Sequence, residues 1–559
     1  MLVPSGIMKW ECGVYFYRQM NLVVAKLISK YAGIGVSILF GVGVFLFWGL
    51  AYPQALSYQE QYQLFLFTGD YLAERLTIAG GLADYLGEFL VQFYYVEWLG
   101  AVILALLFVV LQRLIYRLTS SVWNGLTTKH HHFFLSFIPP FMFLWYMGDE
   151  SVLLSYFVAM LISLGVAYLM KKNQWFDLVV IPLLYWAVGP MAWLYVSIRI
   201  VRYGWRRLWM VIYLLALQIG AYVLLLSQWP LQSVLEGLNY YRVPLQVPTM
   251  QWLIPVAIVL LVALAPFCRK KITAYLQMIC LAVVAFLSVY LGYDSDKYEL
   301  LRQDYHVRNE QWNEVIRRAE KYQVRTTFSS NCVNLALEKK RQLADRMFDF
   351  YQSGEDALLM PMVRDLTSNL PTAEVFWHLG MVNSAERYMF DIQESILNAR
   401  KSGRCTKRLA ECFLVNGKYS VARKHLNLLK KSLFYRNWAK EAETYLYQDA
   451  KIDAHPIWGK LRQLRYKSNF LYNYGEIDKM LGLLFINNPE NKMALDYFMG
   501  EMLLKGNVQG FQQYMSWVQQ YGGYQFMPMG YQDAIRCIQK HDELPNSPYG
   551  NYVRRMMAQ

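Results

Sequence analysis

Three carboxylates stand beside long apolar segments, where charged residues are rare. Asp149 and Glu150 lie in the short stretch MGDES between two apolar runs, and Glu60 follows the first apolar run. Carboxylate oxygens are the ligands that hard divalent cations prefer, and a carboxylate can also take a proton from a hydroxyl group. We therefore predict Glu60, Asp149 and Glu150 as catalytic acids, with Glu60 and Asp149 also binding a divalent Mg or Mn ion.

The same acids have a simpler interpretation. Asp149 can cap the helix that is predicted from about Val152, and acids in a loop can mark the outer face of a membrane protein without doing chemistry. For any one acid this interpretation is favoured. For the three together it is weaker, because MGDES is very short and abuts the hydrocarbon.

Apolar runs of membrane-spanning length position these acids. The candidate spans are 31–52, 99–117, 132–148, 152–170, 175–203, 208–227, 249–267 and 272–293. A hydrophobic content of 55% and a mean hydropathy of +0.17 exceed what a soluble chain normally shows. We predict a cytoplasmic segment 1–30 and a membrane domain 31–293 with about eight or nine spans.

Basic residues in short loops orient the spans, because they stay on the cytoplasmic side. The loop 53–98 carries six acids and one base, Arg75, and is predicted outside. As one straight span, the segment 175–203 would place seven later bases outside, whereas a break at Gly189–Pro190 keeps them inside. We predict the broken form, with everything after Tyr293 outside. In a Gram-negative cell this means a multi-pass inner-membrane protein with a periplasmic C-terminal domain.

The outer loop 53–98 is amphipathic along its length. Its apolar groups at 64–67 and 86–93 are predicted to lie on the membrane surface. That arrangement would hold Asp84 and Glu88 at the lipid boundary, where we predict that they contact substrate. Gly80–Gly81 would permit a sharp turn or the close approach of a substrate.

Residues 294–559 show helical periodicity without strand-like alternation. Three stretches, 375–396, 409–429 and 488–515, look like helix hairpins of the tetratricopeptide kind, each with a glycine at the turn. We predict an all-α chain in which a polytopic helical membrane domain precedes a soluble, tetratricopeptide-like α-helical solenoid. An irregular helical bundle is the alternative.

Charge and motifs exclude several classes of function. The net charge of +14 is shared equally by the two halves, and nothing resembles a nucleic-acid module, so nucleic acid is not a predicted partner. The seven cysteines form no CxxC pair and no zinc spacing. No phosphate-binding loop, dinucleotide fingerprint or nucleophile elbow occurs.

The layout resembles the C superfamily of membrane glycosyltransferases (GT-C). Those enzymes share a long first outer loop with an early acid, a second acidic motif between spans three and four, and often an outer soluble domain. The resemblance implies that Glu60 matches the first acid and that Asp149 and Glu150 match the second motif. It also implies that Arg242, beside Tyr241 in YYRVP, binds a lipid-linked phosphate. Glu60 stands in YQEQ rather than in an acidic pair, and the soluble half has no W-W-D-type motif.

The stretches YQEQ and GGLADYLGEFL also resemble an uncharacterised bacterial family of polytopic envelope proteins. The GT-C resemblance implies a transferase that moves a sugar from a polyprenyl-phosphate donor in the membrane lipid to a periplasmic protein or glycan acceptor. The metal or Arg242 would neutralise the leaving phosphate, and Glu60 or Asp149 would accept the proton.

Two other hypotheses stay open. One is a non-enzymatic envelope scaffold that presents a periplasmic helical-repeat domain to protein partners, and it predicts that Glu60 and Asp149 tolerate neutral substitution. The other is a transporter, which the broken segment favours. A transporter needs buried charges to couple an ion, and Asp177 is the only acid near a membrane end in the predicted spans.

Overall fold

The computed structural model describes residues 33–121, 133–170, 173–225, 231–236, 249–264, 271–363, 367–396, 400–466, 474–539 and 544–558. These residues form helices and irregular segments without a strand, which confirms the predicted all-α class for the described part of the chain. They fall into two compact units. The first unit lies within residues 33–56, 75–238 and 243–293, and the second, here called the helical unit, contains Ser57–Glu74 and the chain from Asp294 onward.

The helices up to Tyr293 are α1 (Gly33–Ala51), α2 (Pro53–Gln61), α3 (Gly69–Leu76), α4 (Gly81–Val91), α5 (Glu97–Ser121), α6 (Ile138–Tyr146), α7 (Leu154–Leu169), α8 (Trp175–Val188), α9 (Ala192–Tyr203), α10 (Trp209–Leu225), α11 (Leu231–Glu236), α12 (Thr249–Leu264) and α13 (Lys271–Gly292). Those after Tyr293 are α14 (Ser295–Arg308), α15 (Trp312–Lys321), α16 (Thr327–Lys339), α17 (Leu343–Arg346), α18 (Leu370–Leu379), α19 (Val382–Ser395), α20 (Gly403–Val415), α21 (Tyr419–Leu429), α22 (Arg436–Glu443), α23 (Asp449–Asp453), α24 (Trp458–Leu464), α25 (Ile477–Asn487), α26 (Lys492–Leu504), α27 (Val508–Gln513), α28 (Met515–Tyr521), α29 (Met529–Gln539) and α30 (Pro548–Met557).

Among the described residues of the first unit, five elements are long and apolar enough to cross a membrane: Gly33–Ala51, Glu97–Ser120, Trp175–Tyr203, Trp205–Leu224 and Tyr275–Gly292. Shorter apolar helices occupy Phe134–Tyr146, Leu154–Leu169 and Thr249–Leu264, so each predicted span contains a helix. Large apolar side chains on these helices are exposed, including Leu39, Ile212 and Leu224. Exposed apolar rows of this extent suit a lipid environment and identify a membrane protein.

The segment Trp175–Tyr203 folds back on itself. Helix α8 ends at Val188, Gly189 has a φ of 59°, and α9 starts at Ala192 after one turn of 3₁₀ helix. Asp177 in the first turn of α8 accepts hydrogen bonds from Tyr195 (2.5 Å) and Arg199 (2.9 Å) of α9, which is possible only in an antiparallel pair. The predicted break at Gly189 is confirmed. Each arm is only about 18–21 Å long, too short to cross a bilayer alone.

The helical unit is built from consecutive helices that pack against each other in sequence order, as α18 does on α19 and α20 on α21. Each of the three predicted stretches holds two helices joined by a short turn, and the three turns share one geometry. Gly380, Gly417 and Gly506 have φ values of 82°, 71° and 67°. In each turn the next residue donates its N–H to a carbonyl five residues back, at 2.8–2.9 Å. This arrangement satisfies helix-end carbonyls and needs a residue with positive φ, which glycine adopts without strain.

Candidate functional site

The first predicted acid, Glu60, lies inside the helical unit. It sits in α2, is 3% exposed, and accepts hydrogen bonds from the Tyr435 hydroxyl at 3.0 and 3.1 Å. Burial raises the pKa of Glu60 to about 7, an effect that Arg308 and Tyr435 partly offset. This single hydrogen-bond donor leaves lone pairs free on both carboxylate oxygens, so the metal-binding role of Glu60 stays a prediction.

The chain around Glu60 is packed into the core of the helical unit. Tyr58, Tyr62 and Leu64 belong to its hydrophobic core. The Leu64 and Phe67 N–H groups donate to the Lys401 and Lys431 carbonyls, both at 2.8 Å. The sequence predicts that residues 64–67 lie on the membrane surface. This prediction is wrong for Leu64 and for Phe65, which is 1% exposed. Leu64 is part of the core of the helical unit, and the Phe65 ring packs on Phe67 and Tyr71.

Buried charges surround this segment. Arg404 donates to both carboxylate oxygens of Asp304, at 2.7 and 3.1 Å, and also to Glu374 at 3.3 Å and to Gln61 at 3.2 Å. We call Tyr58, Glu60, Asp304, Glu374, Arg404, Arg408 and Tyr435 the loop-anchoring network. Tyr58 donates to Asp304, and Arg408 donates to Glu374 at 2.7 Å. Burial opposes ionisation of Glu374, but Arg408 and Arg404 outweigh it and lower the pKa of that carboxyl.

Asp84 and Glu88 lie in the first unit, on α4. Arg75 Nε is 3.1 Å from Glu88 Oε2 and 4.0 Å from Asp84 Oδ2. Asp84 also accepts a 2.6 Å hydrogen bond from Ser155 at the start of α7. A Cβ on Gly87 would lie 2.7 Å from the backbone of Ser155, so α4 and α7 touch closely at this point. The two predicted substrate-binding acids are thus internally paired beside the helix that follows MGDES.

Asp149 and Glu150 are half-buried in the turn before α7. Asp149 Oδ1 accepts from the backbone N–H of Ser151 at 2.9 Å and from its hydroxyl at 2.7 Å, so Asp149 closes a turn rather than capping α7. A Cβ on Gly148 would lie 1.8 Å from the carbonyl oxygen of Gly292, which explains a glycine in this stretch. The structure places Asp149 and Glu150 in the first unit and Glu60 in the helical unit.

The remaining sequence features have mixed outcomes. Tyr241 and Arg242 lie outside the described residues. Gly80, with a φ of 92°, lies against Gly189, and its N–H donates to the Trp186 carbonyl at 2.8 Å. The close approach expected at Gly80–Gly81 is thus to the α8–α9 turn.

Asp177 forms salt bridges with Arg199 and Arg207, which gives these two bases a structural partner.

A cavity that the sequence did not reveal lies at one end of the helices of the helical unit. We call it the helix-end cavity; its volume is about 360 Å³. It is lined by the turn residues Glu310 and Arg341, the ends of α16 and α18, helix α24 and the start of α26. Its lining includes the acids Glu310, Glu338 and Glu490, the bases Lys339, Arg341, His378, Lys460 and Lys492, and the apolar residues Ile457, Leu461, Leu464 and Met493.

Two groups in the helix-end cavity are in direct contact. Lys339 Nζ lies 3.2 Å from His378 Nδ1 and 5.9 Å from the Trp312 ring centroid. Burial, together with the charges of Lys339, Arg408 and Lys460, lowers the pKa of His378 well below its ordinary value, so His378 is neutral and accepts the lysine proton. The net positive charge of the helical half was the sequence signal that could have pointed to this cavity. It did not locate the cavity, because Lys339, Lys460 and Lys492 are far apart in the sequence.

The described residues hold no group of three or more His, Cys, Asp or Glu side chains that could bind a metal ion. Comparison with known proteins gives one match. A family model described as "Family of unknown function (DUF6057)" matches residues 28–558, nearly the whole chain, as expected for an uncharacterised family. No curated protein matches, and no solved structure matches.

Proposed function

Because this chain belongs to the DUF6057 family, whose function is unknown, we propose a function from its own structure: it is a membrane-anchored scaffold that presents the helical unit to protein partners. The observation that carries this proposal is the position of Glu60. This acid is enclosed with Tyr435 in the helical unit, where it helps to hold the first loop. The shared turns of the three hairpins support a helical-repeat architecture for that unit.

The chain path supports an outer position for the helical unit. Ser57–Glu74 lies between the first two apolar helices, and Asp294 follows the last one, yet both belong to one compact unit. Two segments of one unit must lie on the same side of a membrane, so the chain between them crosses it an even number of times. Besides α8–α9, six apolar helices lie between them in the described part, and the folded-back pair keeps the number even.

The acidic loop is predicted outside by its charges, so the helical unit is placed outside with it, in the periplasm of a Gram-negative cell. A reporter fused after Gln559 tests this in the full-length chain. Alkaline phosphatase, which folds only in the periplasm, should be active, and a fluorescent protein that matures only in the cytoplasm should be dark. The reverse pattern would place the helical unit in the cytoplasm and overturn the proposal.

The scaffold and the transferase differ in what they require of the acids. For a scaffold, Glu60→Gln and the double variant Asp149→Asn/Glu150→Gln keep the wild-type set of proteins that crosslink to the helical unit in cells. They also restore the envelope integrity of a deletion strain. Variants that are folded and inserted but fail to restore it would contradict a purely structural role for these acids.

The transferase is the second candidate, and one observation favours it. Asp84 and Glu88 of α4 are held beside the start of α7, directly after the turn with Asp149 and Glu150. In that function Asp149 would accept the proton from an acceptor hydroxyl, while the donor would be a polyprenyl-phosphate-linked sugar. Transfer of a radiolabelled sugar from lipid extracts by the purified protein, abolished by Asp149→Asn, would establish it in place of the scaffold.

A further inference from the structure

The helix-end cavity has features of a binding site, and we propose that it binds an acidic peptide segment of a protein partner. A carboxylate of the peptide lies beside Lys339 and Lys460, and an apolar side chain packs on Ile457 and Leu461. This inference deepens the proposed scaffold function and rests on it, because it names the surface and the chemistry that a partner would use.

The lysines of the cavity have no carboxylate partner. None of Lys339, Lys460 and Lys492 has a described Asp or Glu oxygen within 4.0 Å, although Glu310, Glu338 and Glu490 line the same cavity. Burial and the neighbouring Lys460 ammonium lower the pKa of Lys339, although Glu310 and Glu338 partly offset this effect. The Lys339 and Lys460 ammonium groups repel each other, and an anion bound beside them would offset the part of this repulsion that the glutamates leave.

The remaining charges favour a carboxylate over a phosphate. Phosphate sites usually offer an arginine fork. Arg341, which lines the cavity, is already held by Asp496 at 2.7 Å, by Glu338 at 2.9 Å and by the Gly522 carbonyl at 2.9 Å.

The apolar wall favours a peptide over a free small anion. Ile457 is 47% exposed, and Leu461, Leu464 and Met493 continue the wall. A cavity of this volume is at the lower end of the usual range for ligand sites, about 300–1,000 Å³, and accommodates a few side chains. Apolar contacts would therefore add to the charge contacts, as they do in most peptide-binding grooves.

The backbone around the cavity carries strain. Glu310 and Arg341, with φ values of 54° and 56°, are two of the three non-glycine residues with positive φ in the described chain. They occupy the turn position that Gly380, Gly417 and Gly506 hold elsewhere in the unit. Strained side-chain-bearing residues persist where a side chain is needed, and such positions cluster at binding sites.

The test uses full-length protein in lipid nanodiscs and a fluorescein-labelled hexapeptide of alternating leucine and aspartate. We expect saturable binding in fluorescence anisotropy and at least about tenfold weaker binding of the same peptide with asparagine in place of aspartate. The double variant Lys339→Gln/Lys460→Gln should weaken binding of the aspartate peptide by a similar factor. The matched control is Lys424→Gln/Lys440→Gln, which removes the same charge from exposed sites outside the cavity lining and should change binding less than about twofold.

Three results would overturn the inference: no binding of the aspartate peptide to the wild-type protein, an equal loss in the control variant, or displacement of the peptide by inorganic phosphate at constant ionic strength. The last result would make the cavity a small-anion site. Absence of peptide binding while partner proteins still crosslink would refute only the cavity assignment. A cytoplasmic C-terminal reporter would instead refute the proposed function itself.

Discussion

The helical unit contains two groups of charged residues, and they differ in whether each charge is compensated. In the loop-anchoring network, Arg404 lies between Asp304 and Glu374, and Arg408 completes the pairing. In the helix-end cavity, Lys339, Lys460 and Lys492 have no such partners among the described residues. A compensated buried charge specifies how chain segments dock, whereas two neighbouring cations at an exposed site repel each other weakly, and a bound anion can offset that repulsion.

The largest loss of stability is expected from breaking the loop-anchoring network. Arg404→Met would leave Asp304 and Glu374 buried without their shared cation, and we expect a loss of about 3–5 kcal/mol in the free energy of unfolding. Urea unfolding in detergent micelles, followed by tryptophan fluorescence, measures it. The control Arg387→Met removes an exposed arginine with a 3.9 Å pair to Asp391 and should cost less than about 0.5 kcal/mol. Equal losses for the two variants would mean that burial of the pair contributes nothing.

The next effect depends on pH. Because the pKa of Glu60 is raised to about 7 from its ordinary 4.5, its protonated form stabilises the fold, fully below pH 4.5, and this contribution disappears as pH rises through 7. Glu60→Gln keeps an uncharged acceptor for Tyr435. It should match wild-type stability near pH 5 and exceed it by about 2 kcal/mol near pH 8. An equal stability difference between Glu60→Gln and the wild type at pH 5 and at pH 8 would show that Glu60 does not titrate in this range.

Removing one hydrogen bond should have a smaller effect. Tyr435→Phe deletes the donor to Glu60 and should cost about 1 kcal/mol near pH 8, where the carboxylate is ionised. This bond lowers the pKa of Glu60, so its loss should raise that pKa and shift the pH-dependent loss of stability to higher pH. The same unfolding series at several pH values measures both changes. When Glu60 is already replaced by Gln, Tyr435→Phe should cause no shift of the stability profile along the pH axis.

The smallest effect has the opposite sign. Lys339→Gln/Lys460→Gln removes two neighbouring cations, so we expect unchanged stability or a gain of up to about 0.5 kcal/mol, limited by solvent screening. Thermal unfolding monitored by intrinsic fluorescence measures it. A clear loss of stability would show that the lysines are structural, which would remove the difference between the two regions.

Much of the local structure could be predicted from the sequence. Apolar runs gave helices in all eight candidate spans, and the break at Gly189 and the three hairpin turns of the helical half were found where glycine interrupts the pattern. Helical period and glycine conformation are properties of neighbouring residues, so a single sequence carries them. The candidate acids beside apolar runs were also visible, but their partners were not.

The sequence by itself determined the all-α class, the apolar helices and the positions at which the chain turns. Only the tertiary structure decided that Glu60 lies under Tyr435, 375 residues away, and that Glu310, Lys339, His378, Lys460 and Lys492 meet at one cavity. Local propensities set how each segment folds. Burial and charge pairing between distant segments set where its side chains point, and these depend on contacts that no sequence window contains.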